Sequence, residues 1–157
     1  MQIFYSVLYI LSVSIVVFLL GRVFPRRWLH EQAFPFKSFG FEKNGAIYQK
    51  LGIMKWKTKM PDASLIISRL FPKWMPKKRL ENEEKIPILI KETCVAEMTH
   101  SAVSLLGFGC VFIWKGIGGW ILSLGFLILN LPFILMQRFN RPRLIMAAQM
   151  LARRKKA

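Results

Sequence analysis

Three stretches of the chain are long and apolar enough to cross a membrane as helices. They cover residues 3–24, residues 94–114 and residues 118–137, and each has the roughly 20 residues that a hydrocarbon core requires. The polar region 25–91 separates the first span from the second, and a basic tail, 138–157, follows the third. The pattern therefore predicts a single membrane domain, 1–157, with three transmembrane helices, 3–24, 94–114 and 118–137.

Shorter apolar patterns predict the contents of region 25–91. Phenylalanines alternate with polar residues over 34–41, and Pro35 and Gly40 favour a turn or an extended segment there over a helix. Residues 46–56 place Ile47, Leu51 and Met54, with Tyr48 beside them, on one face against lysines on the other, which predicts one amphipathic helix at the membrane surface. Residues 63–71, capped by Asp62, and 143–156 predict further helices of this kind.

The charge fixes a predicted orientation. The chain carries 24 Lys and Arg residues and a net charge of +16, and apart from Lys115 these basic residues flank the spans on one predicted side. By the positive-inside rule, the N-terminus faces outward and the C-terminus inward. The predicted fold class is an all-α integral membrane protein with three transmembrane helices, N-out and C-in, plus cytoplasmic interfacial amphipathic helices. No nucleic-acid-binding pattern accompanies the charge, so membrane lipid and phosphate-bearing substrates are the expected partners rather than nucleic acid.

Two ionisable residues interrupt the second span. Glu97 and His100 lie three positions apart and therefore share a helix face. Because an acidic residue at a helix centre costs about 2.5 to 3.5 kcal/mol on insertion scales, the pair indicates a site in which Glu97 orients His100 as a general base. One alternative is that Glu97 rather than His100 is the base. The other is structural, with Glu97 reaching the headgroups and His100 filling a packing gap. A di-iron site would need the Glu-x-x-His motif twice, and the chain offers it once, so no metal is expected.

The short turn around Gly116 predicts a tight hairpin between the second and third spans. With the hairpin centred there, Pro132 lies opposite His100, and Asn130 is about 3 Å of helix rise away. Pro132 also frees the carbonyl of Ile128, which an amide such as Asn130 would satisfy. The predicted pocket lies at the inner leaflet, where arginines of 138–143 would hold a phosphate, a pantetheine pyrophosphate or an oxyanion.

Several short motifs, in order, carry a family resemblance. They are Phe36-Lys37-Ser38-Phe39, Phe41-Glu42-Lys43, Trp56-Lys57 with Asp62, Glu92-Thr93, Ala96-Glu97-x-x-His100, Asn130-x-Pro132 and the run from Gln137 to Leu144. With these motifs the chain resembles the glycosyl-4,4'-diaponeurosporenoate acyltransferases. The resemblance implies transfer of a fatty acyl group to the sugar hydroxyl of a glycosylated C30 carotenoid acid. The first span and the loop from Ala63 to Asn82 do not obviously follow the family.

The site hypothesis assigns catalysis to His100 and Glu97, with no metal and no cofactor beyond an acyl donor such as acyl-CoA, acyl carrier protein or a phospholipid. Residues assigned to substrate or donor binding are Asn130, Arg138, Asn140, Arg141, Arg143, Lys55, Trp56, Lys57, Asp62, Lys37 and Glu42. The implied location is the bacterial cell membrane, with the active site on the cytoplasmic side. A homo-oligomer would bury more of so thin a bundle. The alternatives are a non-catalytic membrane subunit or scaffold, and an acyltransferase for another lipid or glycolipid acceptor.

Overall fold

The computed structural model describes residues 1–56 and 82–155, and this part of the chain is helical and without strands. Its α-helices are α1 (Gln2–Val23), α2 (Ala46–Lys50), α3 (Ile53–Trp56), α4 (Asn82–Gly107), α5 (Cys110–Ile113) and α6 (Ile117–Arg154), and two 3₁₀ helices cover Arg26–Trp28 and Gly40–Gly45. Lys57, Asp62 and the predicted helix 63–71 lie outside the described residues.

Three helical segments are long and apolar enough to cross a membrane. They are Gln2–Val23, Lys85–Ile113 and Ile117–Arg154. The predicted all-helical architecture with three membrane-spanning helices is thereby confirmed for the described residues. The N-out and C-in orientation stays a prediction.

Helix α4 packs against both α1 and α6, and it runs antiparallel to each. On the α1 side, the Tyr9 hydroxyl donates to the Leu106 carbonyl over 2.9 Å. A Cβ on Gly21, near the other end of α1, would lie only 2.8 Å from the Thr99 hydroxyl oxygen. On the α6 side, Ser123 donates to the Gly107 carbonyl over 3.1 Å. Small residues thus let the helices approach closely, as is usual where apolar surface faces lipid.

Helix α6 is one continuous helix of 38 residues, with Pro132 and Pro142 inside it. The tail helix predicted over 143–156 is therefore not separate, because α6 runs on to Arg154. The residues after Pro142 are mostly good helix formers such as Leu, Met, Ala and Gln, and the long contact with α4 supports the helix across the hydrogen bonds that the prolines remove.

The single amphipathic helix predicted over 46–56 is wrong, because the segment divides into α2 and α3. Gly52 has φ +67°, a left-handed conformation that ends one helix and turns the chain before the next. The predicted apolar face is buried only in part, since Tyr48 is buried whereas Leu51 and Met54 are exposed. Tyr48 and Ile53, which was not predicted to be on this face, pack against Phe139 of α6.

The phenylalanine-rich segment 34–41 contains turns and the start of a 3₁₀ helix, so the prediction that no α-helix forms there is confirmed. Phe36 is the buried member and packs with Leu29 of the loop and with Cys94 and Val95 of α4. This contact brings the loop between α1 and α2 over the surface where α4 meets α6.

Candidate active site at the contact between α4 and α6

Glu97 is the buried carboxylate at this contact, with 6% of the residue exposed. Its two oxygens are used by different arginines of α6. Arg138 Nη1 donates to Oε1 and Arg141 Nη2 donates to Oε2, each over 2.5 Å. Such bonds between ionised groups are the strongest that side chains form, so Glu97 is held firmly by α6.

A second buried carboxylate reaches the same place from the loop. Glu42 is 2% exposed and accepts at Oε1 from Arg138 Nε and from the Tyr48 hydroxyl, each over 2.6 Å. Its other oxygen accepts from the backbone N–H of Phe39 over 3.0 Å. With Glu97 and Arg141, these groups make a cluster of two carboxylates and two guanidinium groups, Glu42, Glu97, Arg138 and Arg141, whose charges balance. We call it the charge cluster.

Arg138 also holds the backbone of the loop. Its Nη1 donates to the Pro35 carbonyl over 3.1 Å and its Nη2 to the Lys37 carbonyl over 3.2 Å. The guanidinium carbon lies 4.7 Å from the centre of the Phe39 ring. Four of the five N–H donors of Arg138 are therefore engaged by loop and cluster groups.

Arg141 is bound in the same manner from the other side. Its Nη1 donates to the Phe36 carbonyl over 2.7 Å, and its guanidinium lies 5.3 Å from the Phe36 ring centre. Its Nε donates to Thr93 Oγ1 over 3.0 Å and its Nη2 to the Thr93 carbonyl over 3.1 Å. The two arginines thus fasten the loop to α4 and α6, and this bracing occupies the donors that the sequence analysis assigned to a phosphate or an oxyanion.

The protonation of the loop side of the charge cluster follows from these bonds. Burial raises the pKa of Glu42, but the hydrogen bonds from Arg138 and Tyr48 outweigh it and hold that pKa below its ordinary value of 4.5. Burial, with the bond to the Glu42 carboxylate, raises the pKa of Tyr48 to about 12. At neutral pH the pair is therefore a carboxylate accepting from a neutral phenol.

His100 has a separate set of partners. Its Nδ1 lies 2.9 Å from Asn130 Oδ1, and the Asn130 amide nitrogen donates to the Phe126 carbonyl over 2.9 Å. The ring stacks on Phe133, with ring centres 4.8 Å apart and planes 8° from parallel. Because the amide oxygen is an acceptor, the hydrogen-bond pattern assigns the proton of a neutral His100 to Nδ1 and leaves the lone pair on Nε2.

The hairpin register predicted from the sequence is confirmed by this pair, since His100 and Asn130 are in contact. The prediction that Glu97 orients His100 is wrong, because the Glu97 oxygens are bonded to Arg138 and Arg141 and Asn130 holds the ring. The prediction that Asn130 satisfies the carbonyl freed by Pro132 is also wrong, since its amide bonds to Phe126 one turn earlier.

Among the cavities that the described residues form, two lie beside the charge cluster. The loop cavity, about 390 Å³, is lined by loop residues and α6, including Lys37, Glu42, Arg138 and Arg141. The helix cavity, about 560 Å³, is lined by α4 and α6 only, from Leu89, Glu92, Thr93, Ala96, Gln137, Asn140, Arg143 and Leu144. The bond from Arg141 to Thr93 separates them, since Arg141 lines the first cavity and Thr93 the second.

The remaining predicted binding residues are dispersed. Lys55 is exposed, and Trp56 packs beside Tyr48 and Phe139. Arg143 places its guanidinium 4.7 Å from the Phe139 ring centre, at the rim of the helix cavity. Their assignment to substrate or donor binding stays a prediction.

Sequence reasoning missed Thr93, Tyr48 and Phe133 as members of the site. Phe133 had a usable signal, because it follows Asn130 by three residues and so lies on the helix face that turns toward His100. Thr93 lies one turn before Glu97 and carried the same kind of signal. Tyr48 had none, since its role depends on the path of the loop.

Comparison with known proteins identifies the same family that the sequence motifs resemble. The family model described as glycosyl-4,4'-diaponeurosporenoate acyltransferase matches residues 25–150. Proteins of that name from Staphylococcus aureus strains USA300, N315 and MRSA252 are each 31% identical over 156 residues, covering 96% of this chain and 90% of the relative. No solved structure matches the chain.

Proposed function

The chain belongs to the glycosyl-4,4'-diaponeurosporenoate acyltransferase family, and from that premise we propose that it esterifies a sugar hydroxyl of a glycosylated carotenoid with a fatty acyl group. The acceptor is a lipid that reaches the site from the bilayer, which fits a chain with three membrane-spanning helices. The acyl donor is an activated ester, with acyl-CoA and acyl carrier protein the expected classes.

The observation that carries the mechanism is the contact of 2.9 Å between His100 Nδ1 and Asn130 Oδ1. It turns the lone pair of Nε2 away from Asn130 and makes that atom the base. Nε2 accepts the proton of the acceptor hydroxyl while the hydroxyl oxygen bonds to the acyl carbon. The bond from that carbon to the donor's leaving group then breaks, and the proton passes from Nε2 to the leaving group.

The charge cluster has a positioning role in this proposal. Arg138 and Arg141 tie Glu97 of α4 to the loop carbonyls, and the loop in turn supplies Glu42. The cluster therefore keeps α4 and α6 in the register that brings His100 to Asn130. We place it on the cytoplasmic side, at the inner leaflet, because the basic residues of the loop and of the end of α6 favour that side.

The test is acyl transfer in membranes supplied with a glycosylated carotenoid and an acyl donor, read by mass spectrometry of the esterified product. Since general-base catalysis contributes about 10² to 10⁴ in rate, His100→Ala should lower the rate by that order. Lys50→Ala, at an exposed residue at the end of α2 to which no binding role is assigned, is the control for expression and membrane insertion. A His100→Ala variant that transfers acyl groups at the parental rate would refute the assignment of the base.

Variants of Asn130 test whether this residue orients the catalytic His100 ring or only packs against it. Asn130→Ala should reduce transfer because the His100 ring then loses its preferred tautomer, and it should also shift the acidic limb of the pH–rate profile. Asn130→Gln should restore part of the rate if its longer amide still reaches Nδ1. A variant that loses stability without any change in the pH profile of the remaining activity would argue that Asn130 only packs.

A further inference from the structure

The helix cavity lies in the same groove as His100. Ala96, which lines the cavity, precedes His100 by four residues and therefore occupies the same face of α4 one turn away, about 6 Å along the axis. On α6, Gln137 lines the cavity and follows Phe133, the stacking partner of His100, by the same four residues. The cavity and the proposed base therefore lie one helical turn apart on the same faces of α4 and α6.

The loop cavity lies on the other side of the charge cluster. Arg138 and Arg141 line it, and both donate to Glu97, which separates this space from the groove that holds His100. A ligand in the loop cavity would have to displace these buried ion pairs to approach His100. The helix cavity is consequently the space from which a bound group can reach the imidazole.

The lining of the helix cavity favours an uncharged ligand that is rich in hydroxyl groups. Two amide side chains, Gln137 and Asn140, offer both donors and acceptors, which suits hydroxyls that also do both. Leu89, Ala96 and Leu144 add apolar surface of the kind that packs against the carbon face of a sugar ring. The volume of about 560 Å³ is within the range of ligand sites and accommodates a hexose.

The charges of the lining argue against a polyphosphate group in this cavity. Its acidic residue, Glu92, accepts from Arg26 over 3.1 Å, and its basic residue, Arg143, stacks on the Phe139 ring. One cation and one anion leave the cavity close to neutral, whereas the phosphates of a nucleotide-bearing donor require several free cations.

We propose that the helix cavity is the sugar subsite, an inference that rests on the proposed function. Gln137 and Asn140 bind the hydroxyls of the acceptor glycoside, and the small side chain of Ala96 leaves space for the sugar ring. The sugar lies within one helical turn of His100, so that one hydroxyl reaches Nε2. Gln137 and Ala96 are specificity-determining residues in this arrangement.

Steady-state kinetics of acyl transfer, with acceptor and donor varied separately, test the assignment. Ala96→Leu fills the cavity and Gln137→Ala removes an amide, so each should raise the KM for the glycosylated acceptor about tenfold, the effect of losing roughly 1.4 kcal/mol of binding, and leave the KM for the acyl donor within about twofold. Ser101→Leu, at an exposed position of the same helix, is the matched control. An increase confined to the donor KM, or no increase in either, would overturn the sugar subsite.

A binding measurement without turnover separates this proposal from the proposed function. The purified protein is titrated with an alkyl glucoside, and with an alkyl polyethylene glycol ether of equal chain length as the probe that lacks a sugar. Selective glucoside binding that His100→Ala retains and Ala96→Leu loses supports the subsite even in a preparation that transfers no acyl group. Equal binding of both probes, or selective binding that Ala96→Leu leaves intact, overturns it.

Discussion

Glutamine in place of Glu97 would keep the size of this side chain and remove the charge that two buried arginines share. Arg138 and Arg141 are 10% and 3% exposed at their side chains, and Glu97 binds one with each oxygen over 2.5 Å. In Glu97→Gln, the two guanidinium groups face the single carboxylate of Glu42, so that one positive charge is buried without a partner. Removing one member of a buried ion pair typically costs about 3 to 5 kcal/mol.

That cost converts into a measurable change of thermal stability. For chains of about 150 to 250 residues, each kcal/mol shifts the Tm by about 2 to 4 °C, so we expect Glu97→Gln to lower it by about 6 to 20 °C. The measurement is loss of the monodisperse size-exclusion peak of the detergent-solubilised protein after heating. Arg141 loses its carboxylate partner in Glu97→Gln whereas Arg138 keeps Glu42, so the double variant Glu97→Gln with Arg141→Gln removes the unpaired cation and should recover part of the loss.

The matched control is Glu31→Gln. Glu31 forms an ion pair with Lys91 that is more than a quarter exposed on each side, and such pairs contribute about 0 to 1 kcal/mol. If Glu97→Gln lowers the Tm no more than Glu31→Gln does, the buried ion pairs do not brace the helices as we argue. A double variant less stable than Glu97→Gln alone would also refute the charge-balance reasoning.

Two further predictions concern pH and helix packing. The pKa of Glu42 is held below 4.5 in the folded protein, so the ionised Glu42 contributes to stability above that value, and the contribution is lost as the pH falls through the folded pKa. The Tm measured from pH 7 to pH 3 should therefore fall more steeply in the parent than in Glu42→Gln. A Cβ on Gly109 would lie 2.2 Å from the Tyr9 hydroxyl, so Gly109→Ala should destabilise the contact of α1 by about 1 to 3 kcal/mol, and Tyr9→Leu in the same chain should restore part of it in the same heating assay.

Much of the arrangement of the long helices follows from the sequence. The apolar runs predict three spanning helices, and counting outward from the turn at Gly116 predicts that Pro132 lies opposite His100, with Asn130, the observed partner, about 3 Å of helix rise away. The register is predictable because a short turn fixes which residues of the two helices lie at the same depth, and the helix rise sets their spacing from there.

The partner of Glu97 could not be obtained in that way. Helical spacing identifies which residues share a face of α4, but it does not say which neighbouring element that face meets. Arg138 and Arg141 compete with His100 for the Glu97 carboxylate, and a cation forms the stronger bond. Glu42 comes from a loop whose path depends on the burial of Phe36, and no periodic pattern in the sequence predicts that path.

The same limit explains the division of residues 46–56. Their spacing of apolar residues fits one helix, but the left-handed conformation of Gly52 rotates the second part so that Ile53, rather than Met54, turns inward. A glycine within a helical pattern is compatible with either outcome, and the fit of Tyr48 and Ile53 against Phe139 decides between them.

The length of α6 has a mechanical consequence. At 1.5 Å per residue its 38 residues extend about 57 Å, whereas the hydrocarbon core is about 30 Å thick. The same helix therefore carries Asn130 beside the imidazole, Gln137 and Asn140 at the helix cavity, and Arg141 in the charge cluster. When a thicker or thinner bilayer changes the tilt of this helix, these groups move together, because they lie on one continuous helix.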